Sequence, residues 1–386
     1  MAHNRRRGVA LITCIWLLAV LLVLASGLAV AVHGETSVAR NFMQLSRARW
    51  AARAGVHRAE TQLLALAAAQ YSDPATAQTE LLSSQTDSFL GDLSYNTVVE
   101  DEAGKINLNT ASAGVLGAFF PAEVVSALVD WRSPASAAQV NGAEDDYYLG
   151  LNPPYHCRNA PFRTVGEVSL VKGVTPDLLA TTVTADGRTL EDLLTVSSWD
   201  SNTDASGQAR VNLTRATQQT LQNAFSGILT PQEITAILAR RTRAAFTSPA
   251  DLVRVPNLAL TKIAQVYDRL TTSTGTERLG LINLNTAPPE VLAALPGMEG
   301  TMAQALVTRR EKQGPFTQVG EMLLVQGITP EAFRQAADLL TMRSSVFRVS
   351  STGEDPDGLQ TTISCLLQIE NQQTEPSLRV LYWREQ

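Results

Sequence analysis

The N-terminal segment constrains the fold of this chain more than any other feature. Three arginines at positions 5–7 precede Gly8, and an apolar run extends from Val9 to Val32 with only small or neutral interruptions. A helix of roughly 20 apolar residues is long enough to cross the hydrocarbon core of a bilayer. Because basic residues hold their flank on the cytoplasmic side, the rest of the chain is expected on the opposite side. The sequence therefore predicts a single-pass membrane protein.

Three interpretations of this segment differ in the fate of the helix after membrane insertion. A secretory leader has a shorter apolar core and a small-residue cleavage site, and Ala29 and Ala31 leave that interpretation open. A plain signal anchor would stay uncut. The glycine between the charges and the apolar run favours a third interpretation, because the segment resembles a type IV prepilin leader. That resemblance implies cleavage by prepilin peptidase between Gly8 and Val9, N-methylation of Val9, and a helix that remains in the mature protein.

The fifth residue after this cut separates the chain from most pilins. Pilins carry glutamate there, whereas this chain carries Thr13. A carboxylate inside a bilayer is costly unless it is paired, and in pilins it is thought to pair with the N-terminus of the subunit above. A subunit with nothing above it needs no such glutamate. Within the family, this absence resembles the K-type (GspK) minor pseudopilins of type II secretion, and it implies a position at the filament tip.

Beyond the membrane run, the pattern stays helical. Apolar residues recur at helix-like spacing from Val38 to Leu66, alanine is abundant, and the first proline is Pro74. One helix from Val9 to about residue 71 would be roughly 95 Å long at 1.5 Å per residue. A break at Gly34 is the alternative. Such a stem is typical of type IV pilins, and the face over residues 38–66 is expected to pack against I-type and J-type partners.

Strand patterns flank the middle of the chain. Residues 72–92 are polar and predict a loop or a short helix. Residues 93–100 predict a strand, and residues 106–108 are expected to form its return strand. Three further strands are predicted near the C-terminus, over residues 346–351, 361–370 and 378–383.

An internal repeat fills the region between these strands. Residues 106–111 have the sequence INLNTA, residues 282–287 repeat it unchanged, and residues 211–216 are a weaker copy. Three related helical units are therefore predicted over about residues 105–343. In the first unit, Asn109 or Thr110 is expected to cap the first helix. In the third unit, Asn285 or Thr286 is expected to do the same.

The repeat resembles the helix-hairpin-helix units of competence-type DNA receptors and the all-α domain inserted in K-type pseudopilins. The segment order resembles the K-type pseudopilin over nearly the whole chain. The predicted fold class is α+β, with a long N-terminal transmembrane and stem helix on a small antiparallel sheet and a large inserted all-α domain of helix-hairpin-helix (SAM-like) repeats. The predicted boundaries are 1–8 for the leader, 9–71 for the transmembrane and stem helix, 72–109 and 344–386 for the two parts of the sheet domain, and 110–343 for the inserted domain.

Charge argues against nucleic acid as a partner. The chain has 31 Lys and Arg against 37 Asp and Glu, and the three leader arginines lie before the expected cut, so the rest carries a net charge of −9. Binding to phosphates favours the opposite sign. The best hairpin for a phosphate, residues 296–300, contains Glu299. Two basic clusters are interpreted as solvated helix ends: Arg240, Arg241 and Arg243, and Arg309, Arg310 and Lys312.

Catalytic signatures such as a Walker loop, HExxH or GxSxG are absent from the sequence, so the chain is not expected to be an enzyme. The histidines are scattered, which argues against a zinc site. Cys157 and Cys365 have two open interpretations. They could form a disulfide in an oxidising periplasm or remain two buried thiols.

Calcium is the cofactor that the sequence favours. One loop is rich in oxygen ligands at alternating positions, namely Asp200, Asn202, Asp204 and Ser206. This resembles the start of an EF-hand, but Ala205 replaces the required glycine and Val211 the closing glutamate. An Asx-rich connecting loop is the alternative. The acidic segments 144–146 and 354–357 are further candidates. The resemblance to K-type pseudopilins implies calcium in the inserted domain without indicating its ligands.

These patterns predict a minor pseudopilin at the tip of the type II secretion pseudopilus, which initiates or caps assembly for protein export across the outer membrane. The expected partners are the I-type and J-type minor pseudopilins, the major pseudopilin and prepilin peptidase. The expected location is the bacterial inner membrane, with the C-terminal domain in the periplasm. The alternatives are a membrane-anchored helix-hairpin-helix DNA-uptake receptor and a type IV pilus tip protein.

Overall fold

One helix, α1 (Arg5–Ala69), runs through the membrane segment and the stem without a break at Gly34. The computed structural model describes residues 5–69, 82, 85–89, 92–134, 137–204, 206–371 and 376–386. The predicted continuous helix is thus confirmed, although its predicted end at residue 71 lies outside the described residues. Within the described part, α1 is the one helix that is long and apolar enough to cross a membrane. Residues 11–32 are exposed along its whole circumference, as a lipid-facing segment requires.

The second half of α1 lies on a five-stranded antiparallel sheet with the order β1-β2-β11-β12-β13. Its strands are β1 (Gln85–Phe89), β2 (Leu93–Asp101), β11 (Val346–Glu354), β12 (Gln360–Asn371) and β13 (Pro376–Glu385). Small and apolar residues of α1, including Ala52, Val56 and Leu63, pack against the inner face of the sheet. Gly353 is required here, because a Cβ at this position would collide with the backbone of residues 48–52. The sheet therefore uses strands from both sides of the inserted domain, as predicted.

Two strand predictions were wrong. Residues 85–89 form an edge strand, where a loop or short helix was expected. Their composition is polar because an edge strand needs little apolar surface. The pair Ile106–Asn107 (β3) does not return along β2, because a 3-10 helix (Glu102–Gly104) redirects the chain into the inserted domain. There β3 pairs in parallel with β4 (Leu194–Thr195).

The inserted domain is mainly helical and has one continuous apolar core. Its α-helices are α2 (Ala113–Leu116), α3 (Ala122–Arg132), α4 (Asp145–Tyr148), α5 (Pro176–Leu179), α6 (Gln218–Ala224), α7 (Pro231–Arg243), α8 (Leu260–Val266), α9 (Pro289–Ala293), α10 (Gly300–Gln313) and α11 (Pro330–Ala336). Its 3-10 helices after Glu102–Gly104 are Val165–Leu170, Glu191–Leu193, Pro249–Arg254, Tyr267–Arg269, Val319–Leu324 and Ala337–Leu339.

Each repeat unit is closed by a short parallel strand pair. In the first unit this pair is β3 with β4, and in the middle unit it is β6 (Val211–Asn212) with β7 (Leu270–Thr271). In the third unit it is β9 (Ile282–Asn283) with β10 (Leu340–Thr341). An antiparallel pair, β5 (Trp199–Ser201) with β8 (Glu277–Leu279), joins the linkers that lie before and after the middle unit. The first residues of every unit therefore pair with its last residues. The inserted domain, which was expected to be entirely helical, thus contains short strands that close its units.

The two cysteines outside the membrane segment do not form a disulfide. Cys157 belongs to the core of the inserted domain and Cys365 to the core between α1 and the sheet, and both are free. Burial raises the pKa of the Cys157 thiol to about 11 and that of the Cys365 thiol to about 12. They are buried, protonated thiols, which was one of the two interpretations.

Candidate functional site

The predicted processing residues lie near the start of α1. The backbone of Gly8 and Val9 is helical, but their side chains lie outside what the structure describes. Thr13 is exposed on the same helix. Cleavage after Gly8, methylation of Val9 and the role of Thr13 therefore stay predictions, although the exposed apolar helix is consistent with a single-pass anchor.

An exposed apolar surface lies on the membrane-proximal half of the stem, and we call it the stem patch. It consists of Val38, Phe42, Met43, Leu45 and Trp50. Phe42 is 69% exposed and Trp50 is 60% exposed, whereas Val56, Leu63 and Leu66 are buried in the core with the chain's own sheet. The expectation that the whole face over residues 38–66 packs against partners was therefore wrong for its second half, because the sheet covers that half.

A second exposed surface, the edge patch, lies on β13 and consists of Val380, Leu381, Tyr382 and Trp383. β13 is the last strand of the sheet, and six consecutive residues on both of its faces are exposed. Glu385 connects the two patches. It accepts hydrogen bonds from Arg53 (2.9 Å) and from the indole of Trp383 (3.3 Å), and the Arg53 guanidinium lies 5.3 Å from the ring centre of Trp50. Arg53 and Glu385 therefore bridge Trp50 of the stem patch and Trp383 of the edge patch, so the two patches adjoin.

The inserted domain meets the sheet at a group of buried charges that we call the root. Asp101, at the end of β2, accepts hydrogen bonds from Ser344 Oγ (2.5 Å), Thr286 Oγ1 (2.6 Å) and Asn283 Nδ2 (2.9 Å). The backbone N–H of Ala103 donates a fourth bond at 2.7 Å. Burial raises the pKa of Asp101 despite these donors. One carboxylate thus ties the sheet to the third unit and to the returning chain.

The neighbouring acid in the root is neutralised by two cations. Glu102 is 1% exposed and accepts from Lys105 Nζ (2.9 Å), Arg348 Nε (3.0 Å) and Thr195 Oγ1 (2.5 Å). Burial alone would raise the pKa of Glu102, but the charges of Lys105 and Arg348 outweigh it and the pKa is lowered. Because Thr195 closes the first unit, the root also fixes that unit.

The root lies at the end of the sheet that is farther from the membrane segment. Gly353 packs against residues 48–52 of α1, and Ser351 lies beside Gly55. Moving from Gly353 toward Phe347 along β11 therefore moves along α1 away from its membrane half. Phe347 pairs with Asp101. The inserted domain thus emerges from the membrane-distal end of the sheet domain.

The predicted helix caps were wrong, and the repeated asparagines have another role. Ser112 caps α2, and Pro288 precedes α9. Asn109 instead bonds both backbone groups of Phe162, accepting from its N–H (2.7 Å) and donating to its carbonyl (3.1 Å). Asn285 does the same with Phe316, at 2.8 and 2.9 Å. We call this pair of hydrogen bonds the asparagine clamp, and it links the first motif of a unit to its second.

The interpretation of the basic clusters as solvated helix ends holds for Arg243 and Lys312, which are exposed, but the four other arginines are half-buried and bonded within their own units. Arg241 donates to the carbonyls of Leu213 (3.1 Å) and Ala216 (2.7 Å), and Arg310 donates to that of Leu284 (2.7 Å). In the first unit, Arg132 donates to the equivalent carbonyls of Leu108 and Ala111. Each arginine therefore satisfies the repeat loop of its own unit, an arrangement that the sequence reasoning missed.

The residue before each of these arginines covers the phenylalanine of its unit. Trp131 stacks on Phe162, with ring centres 6.4 Å apart. The guanidinium of Arg240 lies 5.6 Å from the ring centre of Phe246, and that of Arg309 lies 4.1 Å from that of Phe316. Arg309 also forms an ion pair with Glu321 at 2.6 Å. The sequence contained a signal for this arrangement, because every unit has a Trp-Arg or Arg-Arg pair at the same place.

Comparison with known proteins shows which proteins parts of the chain and its fold resemble. A family model described as type II secretion system (T2SS), protein K, matches residues 105–183, and a model of the helix-hairpin-helix motif matches residues 279–341. The first of these matches relates the start of the inserted domain to the K-type minor pseudopilins. The fold of this chain is similar to that of a chain in the crystal structure of the GspK-GspI-GspJ complex from the enterotoxigenic Escherichia coli type 2 secretion system. The TM-score is 0.52 at 14% identity, over 90% of this chain and 98% of that chain. Among curated proteins, none matches.

In the loop with EF-hand-like spacing, both candidate carboxylates are already engaged. Asp200 Oδ2 accepts from Thr341 Oγ1 (2.8 Å) and Arg343 (3.1 Å), and Asp204 Oδ1 accepts from the backbone N–H groups of Ser206 and Gln208. Asn202 directs its amide NH₂ at the carbonyl of Gly275, and its buried Oδ1 has no hydrogen-bond partner. Among the residues described, no group of three or more His, Cys, Asp or Glu side chains could hold a metal ion. The residues therefore do not fit a calcium site in this arrangement.

The other acidic candidates are engaged only in part, since Glu144 Oε1 and Asp355 Oδ2 are buried without a hydrogen-bond partner. Asp145 accepts from the backbone N–H of Cys157 at 2.7 Å and lies 3.0 Å from His156 Nδ1. Asp355 accepts from the backbone N–H of Asp357 at 3.0 Å, which closes the turn between β11 and β12. These contacts are those of structural acids in loops.

Proposed function

We propose that this chain is a K-type minor pseudopilin that occupies the tip of the type II secretion pseudopilus, where it initiates or caps assembly for protein export across the outer membrane. One observation carries the proposal: the root places the inserted domain at the membrane-distal end of the sheet domain. A subunit with a large domain at that end leaves no space for another stem above it. Thr13, in place of the glutamate that pairs with a subunit above, is consistent with the same position.

The surface formed by the stem patch and the edge patch is the site proposed for lateral partners. The fold's similarity to a chain of the GspK-GspI-GspJ complex supports I-type and J-type pseudopilins as those partners. A contiguous exposed apolar surface is typical of a protein interface, and tryptophan residues dominate binding energy where they become buried. Contacts with the major pseudopilin and with prepilin peptidase, and a periplasmic location of the C-terminal domain, belong to the same proposal.

The position in the filament is tested by labelling. An epitope tag at Val140, which is 85% exposed on the inserted domain, leaves the stem and the root intact. We expect gold-labelled antibodies to mark one end of pseudopili that are elongated by overproduction of the major pseudopilin. Label distributed along the filament would contradict the tip position, and a tag on the major pseudopilin provides the control for antibody access.

The partner surface is tested by co-purification with the I-type and J-type proteins. Trp50→Glu places a charge in the middle of the surface, and we expect it to reduce recovery of the complex at least tenfold. Val140→Glu is the matched control, because Val140 is also exposed and apolar but lies on the inserted domain. Equal recovery with both variants would show that this surface is not the interface.

The helix-hairpin-helix match favours one other candidate, a DNA-uptake receptor. Its mechanism would need backbone N–H groups and cations that are free to reach phosphates. Arg240, Arg241, Arg309 and Arg310 instead bond or stack inside their own units. A mobility-shift assay with duplex DNA at low salt tests this candidate directly, and we expect no shift at micromolar protein.

A further inference from the structure

The loop that was expected to bind calcium already surrounds a cation, the guanidinium of Arg343. Arg343 is 8% exposed and lies just after the third unit ends at Thr341. Its Nη2 donates to Asp200 Oδ2 (3.1 Å) and to the carbonyls of Ser201 (3.2 Å) and Thr203 (2.8 Å). Its Nη1 donates to the carbonyl of Asp204 (3.0 Å) and to Thr203 Oγ1 (3.2 Å). Five oxygen atoms of one short loop therefore converge on one charge.

This set of oxygen atoms has the composition of a calcium site without the metal. Calcium is bound in proteins by carboxylates, backbone carbonyls and hydroxyl or water oxygens, usually six to eight of them. The loop supplies one carboxylate, three carbonyls and one hydroxyl, and all five bond the guanidinium. A planar guanidinium with five N–H donors satisfies such a set and stays charged when buried. A metal ion at the same place would be repelled by Arg343 and would compete for the same oxygens.

The position of Arg343 couples parts of the chain that are distant in sequence. The loop over residues 200–204 belongs to the linker between the first and the middle unit, because β4 ends at Thr195 and β6 begins at Val211. Arg343 comes after the third unit and precedes Ser344, which bonds Asp101 in the root. Its contacts therefore join the linker, the third unit and the root.

We propose that Arg343 is the built-in cation of the loop over residues 200–204, and that it makes the inserted domain of this chain independent of calcium. The neighbouring charges are compatible with this role. Arg210 donates to the same Thr203 carbonyl at 2.9 Å, and Asp200 and Asp268 balance the positive charges of this region. The inference does not depend on the position of the protein in the filament.

The first experiment compares thermal unfolding of the full chain in detergent with calcium chloride and with EGTA. We expect the midpoint of the wild-type protein to differ by no more than about 1 °C between the two, since no ion binds to the folded state alone. Terbium provides a second readout, because a lanthanide bound in the loop would be sensitised by Trp199 next to Asp200. We expect no saturable terbium luminescence. A midpoint that falls by several degrees in EGTA, or saturable one-to-one terbium binding, would overturn the proposal.

The second experiment removes the guanidinium. Arg343→Ala removes the countercharge of the buried Asp200 carboxylate, which keeps only the hydroxyl of Thr341, and one donor from each of three carbonyls. We therefore expect the midpoint in EGTA to fall by about 10 °C. Calcium should then restore several degrees and terbium should bind, because the oxygens are free. Arg379→Ala, at an exposed arginine on β13 paired with Glu370, is the matched control and should change neither readout. If Arg343→Ala does not fold, Arg343→Lys keeps the charge and should remain insensitive to calcium. A folded Arg343→Ala variant without any response to calcium would show that the loop is not a cation site.

Discussion

The first and third units of the inserted domain differ from the middle unit in how their two motifs are held together. In the outer units, Asn109 and Asn285 clamp the phenylalanine of the second motif. In the middle unit, Thr214 stands at this position and its hydroxyl bonds Asn212 instead. The connection from α7 to Phe246 is short, whereas the first unit has a long insertion before Phe162. The length of the connection does not decide whether the clamp is present, because α10 of the third unit also ends close to its phenylalanine, at Gln313, and Phe316 is nevertheless clamped.

The outer units also carry the bonds to the sheet. Thr195, at the end of the first unit, bonds Glu102, and Asn283, at the start of the third, bonds Asp101. The equivalent Asn212 of the middle unit donates to the carbonyl of Ser273, inside its own surroundings. The copies that hold the domain on the sheet thus retain the full repeat sequence, and the copy between them has lost part of it.

The largest expected effect is at the root. Glu102→Gln leaves Lys105 and Arg348 without their buried carboxylate, and we expect the free energy of unfolding to fall by about 3–5 kcal/mol. The control in the middle unit is Glu233→Gln, at an acid in the capping box of α7 that pairs with Lys262. Its expected loss is about 1 kcal/mol. Urea unfolding measures both, and equal losses would show that the outer units are not specially tied to the sheet.

The next effect concerns the clamp. Asn285→Ala removes the partners of the Phe316 N–H and carbonyl, and we expect a loss of about 2–3 kcal/mol because buried backbone groups are left unpaired. Thr214→Ala, at the equivalent position of the middle unit, should cost less than about 1 kcal/mol. The same unfolding assay tests the difference, which would vanish if the clamp were incidental.

A pH dependence of opposite sign is expected at the two acids of the root. The folded pKa of Asp101 is raised, so the unfolded state releases its proton first and the stability contributed by Asp101 falls as pH rises above its ordinary value of 3.8. The folded pKa of Glu102 is lowered, so its contribution is present above 4.5 and is lost as pH falls through the lowered value. Between about pH 4 and 7, Asp101→Asn should therefore lose stability less steeply with rising pH than the wild type does. Parallel curves for the two proteins would argue against an ionising Asp101.

The smallest expected effect is a gain. Thr214→Asn installs the clamp residue of the outer units opposite Phe246, and we expect no more than about 1 kcal/mol of added stability, the usual net value of a hydrogen bond. A rise of this size in the free energy of unfolding would show that the middle unit tolerates the lost clamp. A clear decrease would mean that the clamp does not fit the geometry of the middle unit.

Local patterns in the sequence predicted the elements that depend on local physics. The continuous α1, β2 and the three C-terminal strands follow from apolar periodicity, and the repeat follows from direct identity between residues 106–111 and 282–287. β1 was missed because an edge strand with a polar sequence carries no such period. The contacts of the loop expected to bind calcium were missed for a different reason. Asp200 and Asp204 belong to an oxygen-rich segment of the sequence, but their cation is a side chain more than a hundred residues away.

The root could not have been predicted for the same reason. Asp101 and Glu102 look like ordinary turn acids after a strand, and their partners Ser344 and Arg348 lie on the far side of the inserted domain. The repeated asparagines were visible in the sequence, but the groups that they bond were not. An asparagine that caps a helix and one that clamps a distant backbone use the same donor and acceptor atoms, so the sequence does not distinguish the two roles. Only the tertiary fold separates the two roles.

The way in which the chain leaves and re-enters the sheet bears on how such a protein could have arisen. Asp101 and Phe347 are paired neighbours on adjacent antiparallel strands, so everything between them is, in topology, the loop of a β-hairpin. The entropy of closing a loop grows only slowly with its length. An ancestral pilin with a short turn at this point could therefore have acquired a domain of several units by simple insertion, with no strand reordered and the lateral surface unchanged. Ancestry of this kind predicts that the inserted domain can vary widely in size among such proteins while the stem and the sheet remain the same.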